Sequence, residues 1–503
     1  MRSRSRRNDL NSLDRGGLVI GMSHDGRQTY YTPADTHSLI IGATRSGKTR
    51  NLVLSSIGLT AMAGESMILV DMKGELYSDT RYFLQAQGYE IIAIDFTQPQ
   101  YSNRYNFLQP TVDALNRGNV AKAVTATRDM ATMLVPENHT SERIWVDGER
   151  SILTMSSLIC AHDNSEDPQF QNLANVQQFI THMCAPVGMF GNLPLNLYLS
   201  LLPDNHPAKL SMGISQIAPS KMRGSFYTSA LASLDVFTDP AIYGMTASTD
   251  FDPELTGVRK RAIFVILPDY KKTYHNLAAL FIYQQYQILA DYADRHGGRL
   301  DRRVHFFCDE FGNFVKIPDF DTLITVSGGR GIRWHLFVQN TEQLDEKYGD
   351  KVGKTIRANA ETWIYLHSDS DATNKELSDR LGSYTIKSPS LSGSSTGQSS
   401  ASYNLTSRPL MKQDEIHRHI NRPYQLVMTR ESPAVMYAPD LSKTIWNDAY
   451  GMGDPAYNRK LTILRAKDRE EQPTGEIVYW GIWKEYIEKL LAADAAAQGK
   501  KGF

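Results

Sequence analysis

Short apolar runs alternate with longer amphipathic stretches in the first part of the chain, and the same alternation returns near its middle. Continuous apolar runs of this length are typical of strands buried on both faces of a parallel sheet, and the stretches between them have helical spacing. The predicted strands are 37–41, 66–70, 90–94, 262–267, 304–308, 334–338 and 363–366, with shorter ones at 424–428 and 434–437. The pattern therefore predicts an α/β fold with a mainly parallel sheet.

The region between these two blocks, residues 106–249, lacks such runs and has helical periodicity instead. Its predicted helices are 113–134, 144–162, 173–183 and 221–234. The pattern therefore predicts an all-α domain inserted into an α/β domain. The other expected segments are a basic N-terminal segment at 1–36, the two parts of the α/β domain at 37–105 and 250–470, and a C-terminal helix and tail at 471–503.

A stretch dominated by Ser and Gly, residues 388–407, interrupts the second part of the α/β domain. Such a composition offers very little to bury. It therefore predicts a flexible loop or lid instead of a packed element.

The composition places the chain among globular proteins. Its 503 residues carry 54 Lys and Arg against 55 Asp and Glu, a formal net charge of −1, and 41% of them are hydrophobic. These values exclude a disordered acidic chain, a collagen-like repeat and a disulfide scaffold. Cys160, Cys184 and Cys308 lie far apart without the spacing of zinc ligands, which indicates a reducing compartment. No apolar stretch approaches the roughly 20 residues needed to cross a bilayer.

Positive charge is concentrated at the start of the chain, where the first 16 residues hold five arginines against two aspartates. No apolar core follows these arginines, which excludes a signal peptide. Two interpretations stay open. The segment is either a frayed basic tail, or a juxtamembrane remnant or patch that binds phosphate or lipid headgroups.

The strongest local signal for chemistry is an eight-residue segment that fits G-x-x-x-x-G-K-[ST] between a predicted strand and a predicted helix. Its residues are Gly42, Ala43, Thr44, Arg45, Ser46, Gly47, Lys48 and Thr49. The backbone N–H groups of such a loop converge on the β-phosphate of a nucleotide, and the helix N-terminus adds partial positive charge. We expect Lys48 to bridge the β- and γ-phosphates and Thr49 to place its hydroxyl on Mg²⁺.

A second carboxylate is needed to complete the metal shell, and the predicted strand 304–308 ends in two acids, Asp309 and Glu310. We expect Asp309 to hold Mg²⁺ through water. Glu310 would then polarise the attacking water as a general base. Because a base next to the metal ligand indicates hydrolysis, the sequence predicts an ATPase that uses ATP and Mg²⁺.

Other polar residues follow predicted strands at the edge where ligands bind in open α/β sheets. They are Asp71, Lys73 and Glu75 after 66–70, Asp95 after 90–94, Asp269 after 262–267, and Gln339 and Asn340 after 334–338. Gln339 would sense the γ-phosphate or position water. Taken singly, each of these residues is more often a turn or a helix cap than a functional group.

An arginine just before a central strand, Arg330, lies in the sequence Ser-Gly-Gly-Arg-Gly-Ile and is predicted to be in a flexible loop. An arginine on such a loop is able to reach the γ-phosphate bound by a neighbouring subunit. The alternative is a solvent-facing arginine, and Arg333 and Arg357 are weaker candidates for the same role.

Taken together, these segments resemble the type IV secretion coupling proteins, the TraG/TraD family of conjugative DNA-transfer ATPases. The resemblance is collinear from about residue 37 to residue 433. Its blocks are GATRSGKT at 42–49, DMKGELY at 71–77, RYNFL at 104–108, DEFGN at 309–313, RGI at 330–332, LDEKYG at 344–349 and LGSYT at 381–385. The phosphate loop alone would indicate only an NTPase, whereas the other blocks in this order are much more specific.

The resemblance implies a RecA-like P-loop domain with an inserted all-α domain, and six subunits around a channel with ATP bound between neighbours. It implies a motor that recruits relaxase-bound single-stranded DNA, or a protein substrate, and delivers it to a type IV secretion channel. Its place would be the cytoplasmic face of the bacterial inner membrane. In the family's ATP site, the matching residues are Lys48, Thr49, Asp309, Glu310 and Gln339. Arg330 matches the finger that reaches the next subunit.

The sequence departs from the family's pattern in two places. Members usually begin with transmembrane helices, whereas only about 36 residues precede the first predicted strand here. We therefore expect either a truncated portion or a variant that relies on a separate membrane anchor. The second departure is Arg45, which stands where Gly is frequent in the loop and adds a positive side chain near the phosphates.

A net charge of −1 does not by itself favour DNA binding. Any contact with DNA would therefore be a local lining of the channel. The candidates are Lys209, Lys221, Arg223, Lys271 and Lys272, and for each of them a solvated surface charge is the more common explanation.

Two alternatives to a coupling motor stay open. One is an FtsK-like chromosome translocase or another conjugative ATPase of the RecA type, although such proteins usually add domains that do not fit here. The other is an adaptor that binds ATP for assembly and docks protein substrates with little motor activity.

Overall fold

The computed structural model of this chain describes residues 2–5, 13–25, 28–135, 143–211, 218–268, 274–393, 399–469, 471 and 476–499. Its strands are β1 (Arg2–Ser5), β2 (Leu18–Met22), β3 (Gln28–Thr32), β4 (His37–Gly42), β5 (Ser66–Met72), β6 (Glu90–Asp95), β7 (Arg261–Leu267), β8 (Val304–Cys308), β9 (Ile332–Val338), β10 (Ala360–His367), β11 (Ser383–Gly393), β12 (Ser399–Pro409), β13 (Tyr424–Met428) and β14 (Ala434–Tyr437).

Twelve of these strands form one sheet, in the order β1-β3-β2-β14-β13-β10-β4-β9-β8-β5-β7-β6. The central strands β10, β4, β9, β8 and β5 are parallel to one another. They are almost completely buried, as their continuous apolar runs predict. Antiparallel strands from β13 to β1 extend one side of the sheet. The predicted α/β fold is therefore confirmed.

Three strands, β1, β2 and β3, lie within the segment 1–36, which was predicted as a basic N-terminal segment. Strands β2 and β3 pair with each other, and β2 is buried along its whole length. Gly17 makes the entry to β2 possible, because a Cβ there would lie 1.9 Å from the Thr32 carbonyl oxygen. A frayed tail was one of two interpretations of the first 16 residues, and it is wrong for Arg2–Ser5, because β1 pairs with β3.

The Ser- and Gly-rich segment 388–407 also differs from its prediction as a flexible loop. Strands β11 and β12 pair antiparallel over eleven residues each, from Ser383 opposite Pro409 to Gly393 opposite Ser399. Aromatic and β-branched residues on both sides of the Ser-rich centre favour strands, and they outweigh its low hydrophobicity. The tip of the predicted loop, residues 394–398, lies outside the described residues.

The four helices predicted between residues 106 and 249 are present, with one of them divided. A glycine with φ of +71°, Gly118, divides the predicted helix 113–134 into two. Several other helices were not predicted, among them Pro194–Leu201, Pro240–Thr246, His275–Arg295 and Phe320–Arg330. The helices are α1 (Leu54–Met62), α2 (Glu75–Ala86), α3 (Gln109–Asn116), α4 (Val120–Leu134), α5 (Arg143–Asp163), α6 (Leu173–Met183), α7 (Pro194–Leu201), α8 (Ser220–Leu234), α9 (Pro240–Thr246), α10 (His275–Arg295), α11 (Phe320–Arg330), α12 (Glu342–Tyr348), α13 (Asp350–Asn359), α14 (Asp371–Leu381), α15 (Gln413–His419), α16 (Ile445–Ala449), α17 (Pro455–Lys467) and α18 (Trp483–Gly499).

The chain divides into two compact units. The first comprises Met1–Ile91, Leu255–Phe264 and Tyr292–Lys467, and it contains the central parallel strands. The second comprises Ile92–Glu254, Val265–Asp291 and Asp468–Phe503, and its described part is mainly helical. The domain limits at 36, 105, 249 and 470 stay a prediction.

None of the helices in the described ranges is both long enough and apolar enough to span a lipid bilayer.

Candidate functional site

The phosphate loop connects strand β4 to a π-helical turn, Lys48–Val53, which continues as α1. Two residues in the loop have left-handed backbone conformations, Arg45 with φ of +65° and Gly47 with φ of +95°. Lys48 is only 7% exposed, and its ammonium group donates to the Gly42 carbonyl oxygen at 2.6 Å. The loop thus curls around the lysine that was predicted to contact phosphates.

The residues of this loop fit a bound phosphate chain. Among the described residues, the buried Ser46 hydroxyl has no hydrogen-bond partner, so its donor is available to a ligand. A Cβ at Gly42 would lie 2.4 Å from the Ser46 Oγ, so glycine is required for the loop to close. The Thr49 hydroxyl and the Asp309 carboxylate are oxygen ligands, which Mg²⁺ prefers.

The strand order brings the predicted acids to the same edge of the sheet as the loop. Strand β9 lies between β4 and β8, with Leu336 opposite both Leu39 and Cys308. Asp309 directly follows β8, and the Glu310 backbone N–H donates to its Oδ1 at 3.0 Å. The carboxyl ends of parallel strands therefore place the metal-ligand candidate beside the phosphate loop, at the edge where ligands bind in open α/β sheets.

Glu310 lies in a network of side-chain amides. Its Oε2 accepts a hydrogen bond from Asn313 Nδ2 at 2.6 Å and another from Gln339 Nε2 at 3.2 Å. Gln343 extends the network, because its Oε1 accepts from the Gln339 backbone N–H at 2.9 Å. Within the described residues no hydrogen bond to Oε1 of Glu310 is present, so that oxygen is available to a water molecule. The structure thus brings Gln339 and Glu310 together.

Two carboxyl groups at this edge have raised pKa values. Burial raises the pKa of Asp309 to about 6, an effect that the Lys48 ammonium opposes and the Glu310 carboxylate increases. Burial likewise raises the pKa of Asp71, on the adjacent strand β5, to about 7. The Asp71 Oδ2 accepts from the Tyr77 backbone N–H at 2.8 Å, so Asp71 also fixes the start of α2. A divalent cation bound at this edge would favour the ionised form of both carboxyl groups.

The raised pKa of Asp309 predicts that its ionisation destabilises the fold. Because the folded-state pKa stands above the unfolded value, the free energy of unfolding falls as pH rises from about 4 to about 6 and stays lower above that. In Mg²⁺-free buffer at pH 8, Asp309→Asn should therefore stabilise the protein by roughly 2 kcal/mol and raise Tm. Near pH 4 this gain should vanish.

Thermal unfolding at both pH values measures this effect. The control is Glu346→Gln, which removes an exposed carboxylate from α12 and should change Tm little at either pH. A lower Tm for Asp309→Asn than for the wild type at pH 8 would show that ionised Asp309 does not destabilise the fold.

Arg330 lies away from this site within its own chain. It is the last residue of α11 and not part of a flexible loop, because Gly331 with φ of +92° ends the helix after it. Its guanidinium forms a bidentate ion pair with Asp294 at 2.9 and 3.0 Å. Arg330 precedes β9 and Gln339 follows it, so the seven residues of the strand, about 23 Å, separate the two.

The two weaker arginine candidates have structural roles. Arg333 is 1% exposed and forms an ion pair with Asp35. Arg357 is 5% exposed and donates to Asp345 at 2.9 Å. Both guanidinium groups are therefore enclosed by their own chain and unavailable to a neighbouring subunit.

Most other candidates prove to be caps or surface residues. Asp95 accepts from the backbone N–H groups of Thr97 and Gln98 and pairs with Arg469, so it closes a turn. Asn340 accepts from the Gln343 N–H at the start of α12. Lys73, with φ of +102°, and Glu75 lie at the start of α2. Lys209 is paired with Asp204, and Lys221 and Arg223 lie on α8. Asp269, Lys271 and Lys272 lie outside the described residues.

The sequence analysis missed three residues of the site. Asn313 and Gln343 support Glu310 and Gln339, and Asn313 belongs to the DEFGN block, so its position beside the acids was a usable signal. The third, Arg422, donates through Nε to the Ser46 carbonyl at 2.7 Å. It lies 376 residues from Ser46 along the chain, and no motif marks it.

Comparisons with known proteins show one family and one shared fold. The model of a family described as type IV secretory system conjugative DNA transfer matches residues 2–447. No curated protein matches the chain. The solved structure of the bacterial conjugative coupling protein TrwBdeltaN70 is similar over 88% of this chain and 93% of its own, with a TM-score of 0.61 and 16% identity. TrwB in complex with the ATP analogue ADPNP, and TrwB in complex with ADP and Mg²⁺, are each similar over 88% of this chain and 94% of their own, with the same TM-score and identity. At this identity the structural likeness shows a shared fold.

Proposed function

Because this chain belongs to the type IV secretory system conjugative DNA-transfer family, we propose that it is an ATPase that drives DNA transfer through a secretion system. The proposal joins two independent lines of support. The family model covers nearly the whole chain, and the site has the residues needed both to bind a nucleotide and to hydrolyse it.

The observation that carries the proposal is the pairing of Glu310 with Gln339 at 3.2 Å, beside the phosphate loop. Hydrolysis requires a group that takes a proton from water, and a carboxylate with one oxygen held by amides and the other available has that capacity. Glu310 accepts the proton at Oε1, while Asn313 and Gln339 keep its Oε2 in place. Gln339 also links this base to the end of β9, which is next to the strand that carries the phosphate loop. A protein that only bound ATP would need none of these groups.

The phosphate loop would hold the nucleotide, and Thr49 and Asp309 would hold Mg²⁺. The similar protein TrwB is seen with ADPNP and with ADP and Mg²⁺, which supports ATP and Mg²⁺ as ligands here. Bound Mg²⁺ neutralises charge on the phosphate oxygens. Lys48 exchanges its bond to the Gly42 carbonyl for the phosphates, since both are oxygen acceptors within reach of one ammonium group.

The position of Arg330 supports a nucleotide site that two neighbouring subunits share. Its own chain keeps it about 23 Å from Gln339, so only a second copy is able to bring it to a bound nucleotide. The exposed ion pair with Asp294 costs little to break, because surface ion pairs contribute about 0–1 kcal/mol. A ring of six such subunits, with ATP between neighbours, satisfies this requirement.

The proposed partners follow from the family. They are single-stranded DNA bound to a relaxase, other protein substrates and the components of a type IV secretion channel. The proposed location is the cytoplasmic face of the bacterial inner membrane, where such a channel begins.

The test is ATP turnover by the purified chain with and without single-stranded DNA. We expect DNA to increase turnover, and we expect the increase to fall as salt is raised, because contacts with phosphates release counterions. Lys48→Ala serves as the background for contaminating ATPases. Turnover that DNA leaves unchanged at every salt concentration would reject a DNA motor, and wild-type turnover no higher than this background would reject an ATPase.

A further inference from the structure

A segment late in the chain, residues 422–440, contacts the outer face of the phosphate loop. Arg422, just before β13, donates from Nε to the Ser46 carbonyl oxygen at 2.7 Å. The same guanidinium covers Gly47, because a Cβ built on Gly47 would lie 2.9 Å from the Arg422 Nε and 3.1 Å from its Cζ. Glycine at position 47 is therefore needed for this contact as well as for its φ of +95°.

Two further contacts from the same segment reach the turn that follows the loop. Asn51 Nδ2 donates to the Ala438 carbonyl at 2.9 Å, and Arg50 pairs with Asp440 through two hydrogen bonds at 2.7 and 2.8 Å. These contacts keep the segment against the loop. Of the three, the Arg422 contact is the one made to the loop itself.

The bond from Arg422 determines the orientation of one peptide group. The carbonyl of Ser46 and the N–H of Gly47 belong to the same planar peptide, so they point in opposite directions. A loop binds phosphate when its N–H groups point inward, which requires that its carbonyls point outward. By holding the Ser46 carbonyl outward with a charge-assisted hydrogen bond, Arg422 turns the Gly47 N–H inward.

We propose that Arg422 is a positioning residue of the nucleotide site, which orients the Ser46–Gly47 peptide and thereby increases the affinity for nucleoside di- and triphosphates. This role rests on the proposed function, because it requires that the loop binds nucleotide. Arg422 acts on the phosphates through the peptide, and within the described part of the chain it has no hydrogen bond to Glu310 or Gln339.

The test measures the Kd of a fluorescent ADP analogue and the steady-state kinetics for wild type, Arg422→Ala, Arg422→Gln and Arg422→Lys. A hydrogen bond from a charged donor contributes enough that its loss should raise Kd and KM by about 10- to 100-fold, with kcat within about twofold of wild type. Arg422→Lys should recover part of the affinity, because an ammonium group still donates to the carbonyl. Arg422→Gln should recover less, because it has no charge.

The matched control is Arg418→Ala, which removes an exposed arginine from α15, four residues earlier in the chain. An unchanged Kd for Arg422→Ala would overturn the proposal, and so would an equal loss for Arg418→Ala, which would indicate bulk charge. If Arg422→Ala does not fold, the comparison of the Gln and Lys variants decides, and equal Kd values for both and for wild type would also overturn it. The two proposals fail separately: a wild type that binds ADP but does not hydrolyse ATP would reject the ATPase and leave the role of Arg422 intact.

Discussion

Glu310→Gln is expected to lower kcat for ATP hydrolysis by about 10²- to 10⁴-fold, the usual contribution of a general base. The substitution keeps the size of the side chain, and an amide oxygen still accepts from Gln339 and Asn313. The network should therefore persist while the proton acceptor is lost. Because Glu310 is not expected to contact the phosphates, the Kd for ATP should stay within about twofold of wild type.

Steady-state turnover and equilibrium nucleotide binding measure the two parts of this prediction. Glu346→Gln is the control, since it removes an exposed carboxylate from α12 outside the network. A decrease in kcat of less than tenfold in Glu310→Gln would show that another group takes the proton. A large increase in Kd would show instead that Glu310 contributes to binding.

Lys48→Ala is expected to abolish both binding and turnover. Lys48 is 7% exposed, so the interaction of its ammonium group with a phosphate is little weakened by water. Removing one partner of such a buried charged pair costs about 2–5 kcal/mol, and 3 kcal/mol already corresponds to more than a hundredfold increase in Kd. The variant also removes the charge that lowers the pKa of Asp309, so this carboxyl group should become still harder to ionise.

Calorimetric titration with ADP and Mg²⁺ measures the affinity, and Lys354→Ala on α13 is the control because that lysine is exposed. Together the two variants separate binding from chemistry: Lys48→Ala should lose affinity, whereas Glu310→Gln should keep it. Affinity of Lys48→Ala within threefold of wild type would place the phosphates elsewhere.

The central strands and the phosphate loop could be predicted from sequence because their signals are local. Strand β8 was predicted with its observed limits, and strands β4, β5 and β9 to within two residues at either end. Each is a continuous apolar run, since parallel strands are buried on both faces. Asp309 and Glu310 follow such a run directly, so their edge of the sheet was predictable as well.

Features that depend on contact with another segment were missed. Strands β3, β11 and β12 are short of aliphatic residues, and they form because a partner strand satisfies their backbone groups. The role of Arg422 could not be predicted either, because no local pattern shows that it contacts Ser46. Arg330 was assigned to a loop since its two preceding glycines favour turns, yet both lie within α11.

The position of β4 has a consequence for synthesis on the ribosome. Its two neighbours in the sheet, β9 and β10, lie about 300 residues further along the chain, with Leu39 between Leu336 and Trp363. At roughly 5–20 residues per second, β4 would wait roughly 15–65 s for both of them. During that time an apolar strand with two unpaired edges is exposed to other nascent chains. Production of this protein should therefore depend on chaperones, and fragments that stop before β9 should aggregate.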